Sequence, residues 1–385
     1  MNKKIVKICS IIMALSLVML TFAACGKKPV YGEGEGSTQP TTEPTTEASQ
    51  ELPANVSALT GLPVSDSAVG TRPIAIMVEN SPDARPQWGL STPDIVLEGV
   101  VEGGITRMMW IYSDVTQIPK IGPVRSARHD YVEIADGMNA IYTHWGGSNP
   151  AYDYIKSIGM VDIDGKVLGT NSPMNSSTTN RFYFFKDNKR TTATEHRGFT
   201  DGEHLAAAIA KKGIETKATG TDWAPFDIVT DGVRVPFGEE TGSCSEITVC
   251  FSSAYKHTFK YDADKKLYYN YMNGKEMKDG NNNQTMAVTN VIIMYANVSD
   301  FAVSSKYPNP DIKKLREWDL TSGDAVYVSM GSGESITWKK ESKTAPLKFY
   351  GKDGKELKIN KGQTWIGVVP EANRTSASLK TTIIK

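Results

Sequence analysis

The segment GPVRSARHD, residues 122–130, carries two arginines and a histidine within five positions. If a helix begins near Pro123, this spacing places Arg125, Arg128 and His129 on one face of its first turns. Guanidinium groups at the positive end of a helix suit a carboxylate or a phosphate group. The pattern therefore predicts an anion-binding site where this helix begins, and the glycine before Pro123 would let the backbone approach a ligand.

A further arginine, Arg107, stands near the start of the apolar segment ITRMMWIY. An arginine that begins an otherwise apolar strand needs an acidic partner or a ligand. We expect Arg107 to extend the anion site. The alternative is a structural ion network, in which Glu98, Glu102 or Asp130 neutralises the guanidinium groups and ties neighbouring elements together. Both interpretations stay open on the sequence alone.

A second histidine, His144, lies in the segment THWGGS, between a predicted strand and a predicted helix. In α/β proteins, ligands bind beside the carboxyl ends of strands. His144 could help to orient a ligand there, act as a general acid or base, or only form hydrogen bonds at the strand end.

Binding of an anionic or polar ligand of the cell envelope, such as a wall fragment or a peptide carboxylate, is the function that we favour. In this hypothesis three guanidinium groups hold the anion and two histidines orient it. The ligand-binding residues would be Arg107, Arg125, Arg128, His129 and His144.

Two other classes of function remain. The protein could be a cell-envelope enzyme, in which His144 or His129 acts as acid or base beside Glu98 or Glu102. It could also be a scaffold that recruits other proteins and has only a structural arginine cluster. The sequence identifies no partner protein and favours an activity other than catalysis.

Neither a metal site nor a cofactor is predicted. The five histidines never stand at HxxxH spacing and the chain has no CxxC motif. The segment DIDGK, residues 162–166, lacks the acidic residues that would complete a calcium loop. Basic and acidic residues are equal in number, 43 of each, so the charge does not favour nucleic acid as a partner.

The N-terminus, MNKKIVKICSIIMALSLVMLTFAAC, has the pattern of an export signal. Three lysines precede an apolar run that is shorter than the roughly 20 residues needed to span a bilayer. We interpret residues 1–24 as a lipoprotein signal peptide and Cys25 as the lipidated first residue of the mature chain. A diacylated cysteine anchors a protein stably, here to the outer face of the cytoplasmic membrane. An ordinary secretory signal is the alternative.

Residues 25–57, which follow the signal, are rich in Gly, Thr, Glu and Pro and contain almost nothing to bury. This composition predicts a disordered tether. A tether of this length would hold the folded part of the protein away from the membrane surface.

Residues 58–220 alternate between strand and helix signals. The segments PIAIMVEN, ITRMMWIYS and AIYTH predict strands. Helices are predicted over residues 92–104, 123–138, 149–159 and 200–213. This alternation is typical of an α/β domain with a largely parallel sheet.

Residues 236–385 consist of short β-rich segments separated by turn sequences such as DADKK and GKDGK. They predict a second, antiparallel β-rich domain. Cys244 and Cys250 flank the alternating segment SEITV. If that segment is extended, the two cysteines lie too far apart for a disulfide; a turn at TGSC would allow one.

Four segments together resemble the YerB-like bacterial lipoproteins: RPIAIMVENSPDARPQWGLSTPDIVLEGVVEGGITRMMWIY, KIGPVRSARHDYVEIA, YTHWGGS and the terminal GQTWIGVVP. The resemblance extends over most of residues 60–370. It implies an exported lipoprotein with two consecutive domains of unknown function, α/β followed by β-rich, and it implies no reaction. Around His196 the chain reads TEHRGFT, where the resemblance leads us to expect a Pro-His-Asn-type run.

Overall fold

A computed structural model describes residues 55–168, 183–187, 189–220, 222–237, 243–375 and 382–384. The predicted signal peptide, Cys25 and most of the predicted tether lie outside these ranges. Within the part of the chain that the structure describes, no helix has the length and apolar character needed to cross a membrane.

The helices are α1 (His129–Gly137), α2 (Asn149–Ser157), α3 (Gly165–Leu168), α4 (Gly202–Lys212) and α5 (Ala372–Thr375). The strands of the first half of the chain, up to residue 235, are β1 (Ile74–Glu79), β2 (Ile95–Val100), β3 (Thr106–Tyr112), β4 (Ile141–His144), β5 (Ile163–Asp164), β6 (Phe185–Lys186), β7 (Gly198–Phe199) and β8 (Asp227–Ile228). The strands of the second half are β9 (Glu246–Ser252), β10 (Tyr255–Asp262), β11 (Leu267–Met272), β12 (Lys275–Glu276), β13 (Ala287–Val288), β14 (Asn290–Ala296), β15 (Val298–Asp300), β16 (Arg316–Trp318), β17 (Ser322–Ser329), β18 (Ser332–Lys340), β19 (Leu347–Tyr350), β20 (Lys358–Ile359), β21 (Thr364–Pro370) and β22 (Thr382–Ile384).

Both halves of the chain contribute to one ten-stranded sheet, in the order β19-β18-β17-β14-β21-β2-β3-β1-β4-β5. The halves meet where β2 and β21 pair in parallel, with Ile95 opposite Thr364. In the first half, β4 pairs in parallel with β1 and with β5, whereas β3 is antiparallel to both its neighbours. The predicted fold class, mixed α and β with parallel pairing first and antiparallel strands later, is confirmed.

A second sheet, in the order β12-β11-β10-β9-β22, covers one face of the central sheet, and α1 and α2 cover the other. Alternation along β1 directs Ile76 and Val78 to the first of these faces and Ala75 and Met77 to the opposite one. Because both faces are buried, the central strands are continuous apolar runs rather than alternating ones.

The helix predicted over residues 92–104 is wrong. Residues 95–100 form β2, every residue of which is buried, and a short 3-10 turn, Glu102–Gly104, follows it. The sequence favoured a helix because Thr92 and Asp94 before β2 are possible capping residues and Gly103 and Gly104 follow it as a stop. In the strand, Glu98 lies in the core.

The helix predicted over residues 123–138 begins only at His129. Before His129 the backbone is extended, because its amides donate hydrogen bonds to neighbouring segments instead of within a helix. The amide of Val124 donates to the carbonyl of Gly198 at 2.7 Å, and that of Arg125 donates to Met77 at 2.9 Å. Arg125 therefore precedes the helix, and it does not share a helical face with His129.

The other two predicted helices are confirmed as α2 and α4. The side chain of Ser148 caps α2, and Asp201 caps α4 by accepting from the amide of His204. Gly213 ends α4 with φ 63°, a left-handed conformation that glycine adopts at little cost.

All described residues belong to one compact unit. The domain boundaries predicted at residues 58–220 and 236–385 remain predictions. Cys244 and Cys250 are buried thiols that no disulfide joins, and β9 (Glu246–Ser252) separates them as an extended segment, as the strand interpretation requires.

Candidate functional site

The three predicted arginines converge at the carboxyl end of β1. Glu79, the last residue of β1, lies opposite Arg107 of β3. The Nε atom of Arg125 is 3.2 Å from Oε1 of Glu79, and Nε of Arg128 is 2.5 Å from Oε1 of Glu102. Arg125 and Arg128 therefore each have an acidic partner. For these two arginines, the contacts are those expected of a structural ion network.

Arg107 is the exception. Its side chain is almost fully buried, with 4% of the residue exposed, and Nη1 donates to the carbonyl of Ser126 at 3.0 Å. Its Nε atom has no hydrogen-bond partner, and no carboxylate of the described residues forms an ion pair with it. Burial and the nearby charge of Arg128 lower the pKa of Arg107 to about 9, although Glu102 opposes the shift. The group is a buried cation without its own counter-ion.

Glu79 also contacts a histidine, which the sequence did not predict. Glu79, only 2% exposed, also accepts from Ser81 Oγ at 2.9 Å, and its Oε2 atom is 2.7 Å from Nδ1 of His196. The only sequence feature that pointed to this contact was the position of Glu79 at the end of an apolar strand. His196 lies in the 3-10 turn Thr194–His196, far from Glu79 along the chain, so local patterns could not pair them.

His144 is fully buried, and both of its ring nitrogens have protein partners. Nδ1 is 2.7 Å from the carbonyl oxygen of Gly146 and Nε2 is 2.7 Å from Oδ2 of Asp162. These two contacts fix the orientation of the ring, and neither nitrogen faces solvent. Burial opposes ionisation of Asp162, but the hydrogen bond and charge of His144, with the charge of Lys212, lower its pKa overall.

His144, Asp162 and Asp164 have the ligand types of a metal site, with donor atoms within 4.8 Å of one another. Those donors already bind protein groups. Oδ1 of Asp164 accepts from the amides of Gly146 and Lys166, and its Oδ2 accepts from a tyrosine hydroxyl. The cluster closes the loop after β4 by hydrogen bonds, and we assign no metal to it.

His129, the first residue of α1, lies at a different surface feature. It lines a cleft of about 580 Å³ between α1 and the residues around β16 and the end of β18. Neither ring nitrogen has a hydrogen-bond partner, and Phe301 packs edge-on against the ring. Burial, then the charges of Lys343 and Arg128, lower the pKa of His129 to about 4, so its ring is neutral near pH 7.

The carboxylates proposed as partners of an acid or base have other contacts. Glu98 is fully buried and accepts from Asn80, Thr106, His257 and Trp365. Burial would raise the pKa of Glu98, but the charge and hydrogen bond of His257 outweigh burial and lower it. Neither His144 nor His129 pairs with Glu98 or Glu102 because β2 directs Glu98 into the core and Arg128 engages Glu102.

These features define a mixed α/β protein whose two halves share one sheet and whose arginine cluster lies where β1 ends. Residues 59–215 match the N-terminal domain, and residues 247–366 the C-terminal domain, of the proteins of unknown function DUF3048. The chain belongs to this family.

Two relatives extend the comparison. The chain is 28% identical over 335 residues to "Putative lipoprotein YerB" of Bacillus subtilis (strain 168), an alignment that covers 83% of this chain and 88% of that protein. The crystal structure of the YerB protein from Bacillus subtilis matches with a TM-score of 0.66 at 25% identity, and covers 86% of this chain and 99% of that one. The predicted family is confirmed, and it supplies no activity.

Proposed function

We propose that this protein is a lipid-anchored lipoprotein that binds an anionic ligand of the cell envelope through Arg107, Arg125 and Arg128. Cys25 would carry the lipid and hold the protein on the outer face of the cytoplasmic membrane. The observation that supports the binding site is the buried guanidinium of Arg107, which has no acidic partner among the described residues.

A buried charge without a counter-ion is costly. Removing a charge from water costs several kcal/mol, and a single backbone carbonyl does not recover that free energy. Around Arg107 stand two more guanidiniums, which repel it, and the two carboxylates of Glu79 and Glu102. The cluster therefore has one positive charge in excess, and a bound anion would neutralise it.

Arg125 makes the cluster accessible. A quarter of its side chain is exposed, and although its Nε atom is close to Glu79, the geometry is not that of a hydrogen bond. A ligand that approaches from solvent would meet Arg125 first and the buried Arg107 behind it. Guanidinium groups bind carboxylate and phosphate oxygens in pairs, which suits such an arrangement.

The binding site can be tested with the purified full-length protein in a non-ionic detergent. Thermal unfolding is followed while wall fragments, phosphates and carboxylates are added, because a ligand of the folded state raises the melting temperature. We expect an anion to stabilise the wild type, and Arg107→Met and Arg125→Gln to abolish that stabilisation. If no anion shifts the wild-type melting temperature, the binding function is wrong.

Arg72 offers a matched control for these variants. Its Nε donates to the carbonyl of Asn139 at 2.8 Å, and, like Arg107, it has no ion pair with a carboxylate of the described residues. It precedes β1, at the opposite end of that strand from Glu79. Arg72→Gln should leave anion stabilisation unchanged. An equal loss in Arg72→Gln would show a general charge effect instead of a site.

The anchor has its own test. Replacement of Cys25 by serine removes the thiol that a diacylglycerol group would modify. We expect the wild type in the membrane fraction of the producing cells and Cys25→Ser outside it, since one lipidated residue supplies both acyl chains needed for stable anchoring. Equal membrane association of both would contradict the proposed anchor.

A further inference from the structure

Glu79 and His196 form a hydrogen-bonded pair within the arginine cluster. Nδ1 of His196 lies 2.7 Å from Oε2 of Glu79. A carboxylate only accepts, so the hydrogen is on Nδ1. In the neutral ring Nε2 is then an acceptor, and no described residue forms a hydrogen bond with Nε2. This nitrogen is available to a ligand.

The same carboxylate connects His196 to the arginines. Oε1 of Glu79 lies 3.2 Å from Nε of Arg125, while its Oε2 binds His196. The other charged groups near the ring are Arg190, whose Nη1 donates to the carbonyl of His196, and Glu195 of the same 3-10 turn. A change in the charge of His196 therefore acts directly on the group that partners Arg125.

The charges of the cluster indicate what kind of anion fits. The guanidiniums of Arg107, Arg125 and Arg128 face the carboxylates of Glu79 and Glu102, which leaves one positive charge. With a protonated His196, the cluster would have two positive charges in excess. A dianion thus fits the protonated cluster better than a monoanion does.

The number of donors supports the same conclusion. Three guanidinium groups from two segments and one imidazole from a third supply more donors than the two oxygens of a carboxylate can satisfy. A tetrahedral group such as a phosphate monoester has three terminal oxygens for these donors. It would also make use of the Nε of Arg107, which is buried without a partner.

On the basis of the anion site proposed above, we infer that the ligand carries a tetrahedral dianionic group of the phosphate-monoester type, and that protonated His196 is its fourth donor. Binding then takes up a proton at His196, so a lower pH favours binding.

Sulfate is the probe for this inference because it is a tetrahedral dianion whose charge stays constant between pH 6 and pH 8. Its Kd for the full-length protein is measured by calorimetry at both values, with acetate as the monoanionic comparison. We expect sulfate to bind about tenfold more tightly at pH 6 than at pH 8, and acetate to bind more weakly with less dependence on pH.

His204 provides the matched control for His196. Its Nδ1 is also 2.7 Å from a carboxylate, that of Asp201 on the N-terminal side of α4. His196→Gln should bind sulfate with the same affinity at both pH values, whereas His204→Gln should keep the wild-type difference. If His196→Gln fails to fold, proton uptake by the wild type decides, measured at pH 7 in two buffers of different ionisation enthalpy.

The outcomes separate the two proposals. Sulfate binding that is independent of pH, or a pH dependence that persists in His196→Gln, overturns the role of His196 and leaves the anion site intact. Acetate binding as tight as sulfate overturns the dianionic ligand class. Binding of neither anion by the wild type at either pH refutes the anion site itself, and this inference with it.

Discussion

Glu98 and His257 form a fully buried ion pair that connects the two halves of the chain, with Oε1 of Glu98 3.0 Å from Nε2 of His257. Nδ1 of His257 is 2.8 Å from Oδ1 of Asn270. Both ring nitrogens of His257 therefore lie within hydrogen-bond distance of an oxygen atom. The pair lies between β2 of the central sheet and β10 of the second sheet, so it ties the two sheets together.

Removing one member of this pair should destabilise the fold strongly. Glu98→Gln removes the carboxylate that contacts His257, and His257→Gln leaves the carboxylate of Glu98 buried without its partner, each at a cost of about 3–5 kcal/mol. Urea unfolding of both single variants and the double variant measures the coupling. The double variant should lose much less than the sum of the two. Additive losses would show that the two side chains contribute independently.

The lowered pKa of His129 predicts that the protein loses stability in mild acid. The pKa of His129 in the folded state is about 4, below the value of an exposed histidine, so the unfolded chain binds a proton that the folded chain resists. Stability is complete above about pH 6.5 and falls as the pH drops, by about 2–3 kcal/mol at pH 4. His129→Gln, which cannot titrate, should lose less stability over this range.

Urea unfolding of wild type and His129→Gln at pH 7, 5.5 and 4.5 checks this prediction. The lowered pKa of Glu98 acts in a different window: its contribution is present above about pH 4.3 and is lost as the pH falls further. The difference between the two proteins should therefore develop before Glu98 titrates. Parallel stability curves from pH 7 to pH 4.5 would contradict the buried, neutral state of His129.

Arg107→Met should separate stability from binding. Burial lowers the pKa of Arg107, which shows that the fold disfavours its charge. Replacement of buried charges by apolar side chains of similar volume is often neutral or stabilises by about 1–4 kcal/mol. We expect a free energy of unfolding equal to or above that of the wild type, together with loss of anion binding. A loss of several kcal/mol would instead assign Arg107 to the structural network.

The elements that the sequence predicted correctly are those with local signals. The helices α2 and α4 have a capping residue and a terminal glycine, and β1, β3 and β4 are short apolar runs between turn residues. The strand β2 was predicted as a helix because possible capping residues precede it and two glycines follow it. The extended conformation of residues 123–127 was not predicted because their backbone hydrogen-bond partners, such as Met77 and Gly198, are distant in the chain.

The same distinction applies to the site. Arg107 lies beside the end of β1 because β3 runs antiparallel to β1, an arrangement that the predicted, largely parallel sheet did not provide. The pair formed by Glu79 and His196 could not be predicted, because their separation is 117 positions and His196 lies in a short 3-10 turn. His129 was assigned to the site only through a helix that in fact begins later.

Gly122→Ala tests whether the extended segment before α1 positions Arg125. Gly122 has φ 140°, and a Cβ atom there would lie 2.8 Å from the carbonyl oxygen of Gly198. Its backbone also bonds with Trp88 in both directions. The substitution must therefore move the segment that contains Arg125 away from β7. We expect a loss of stability, measured by urea unfolding, and weaker anion binding.

Gly103→Ala is the control, because Gly103 also has a positive φ, 67°, but no atom lies within 4 Å of the added Cβ. It should cost only the backbone strain of a left-handed residue, about 1–2 kcal/mol, and leave anion binding unchanged. The excess loss in Gly122→Ala then measures the close approach to Gly198. If Gly122→Ala instead loses no more stability than Gly103→Ala and binds the anion as the wild type does, the segment accommodates the methyl group. In that case the position of Arg125 does not depend on the close approach to Gly198.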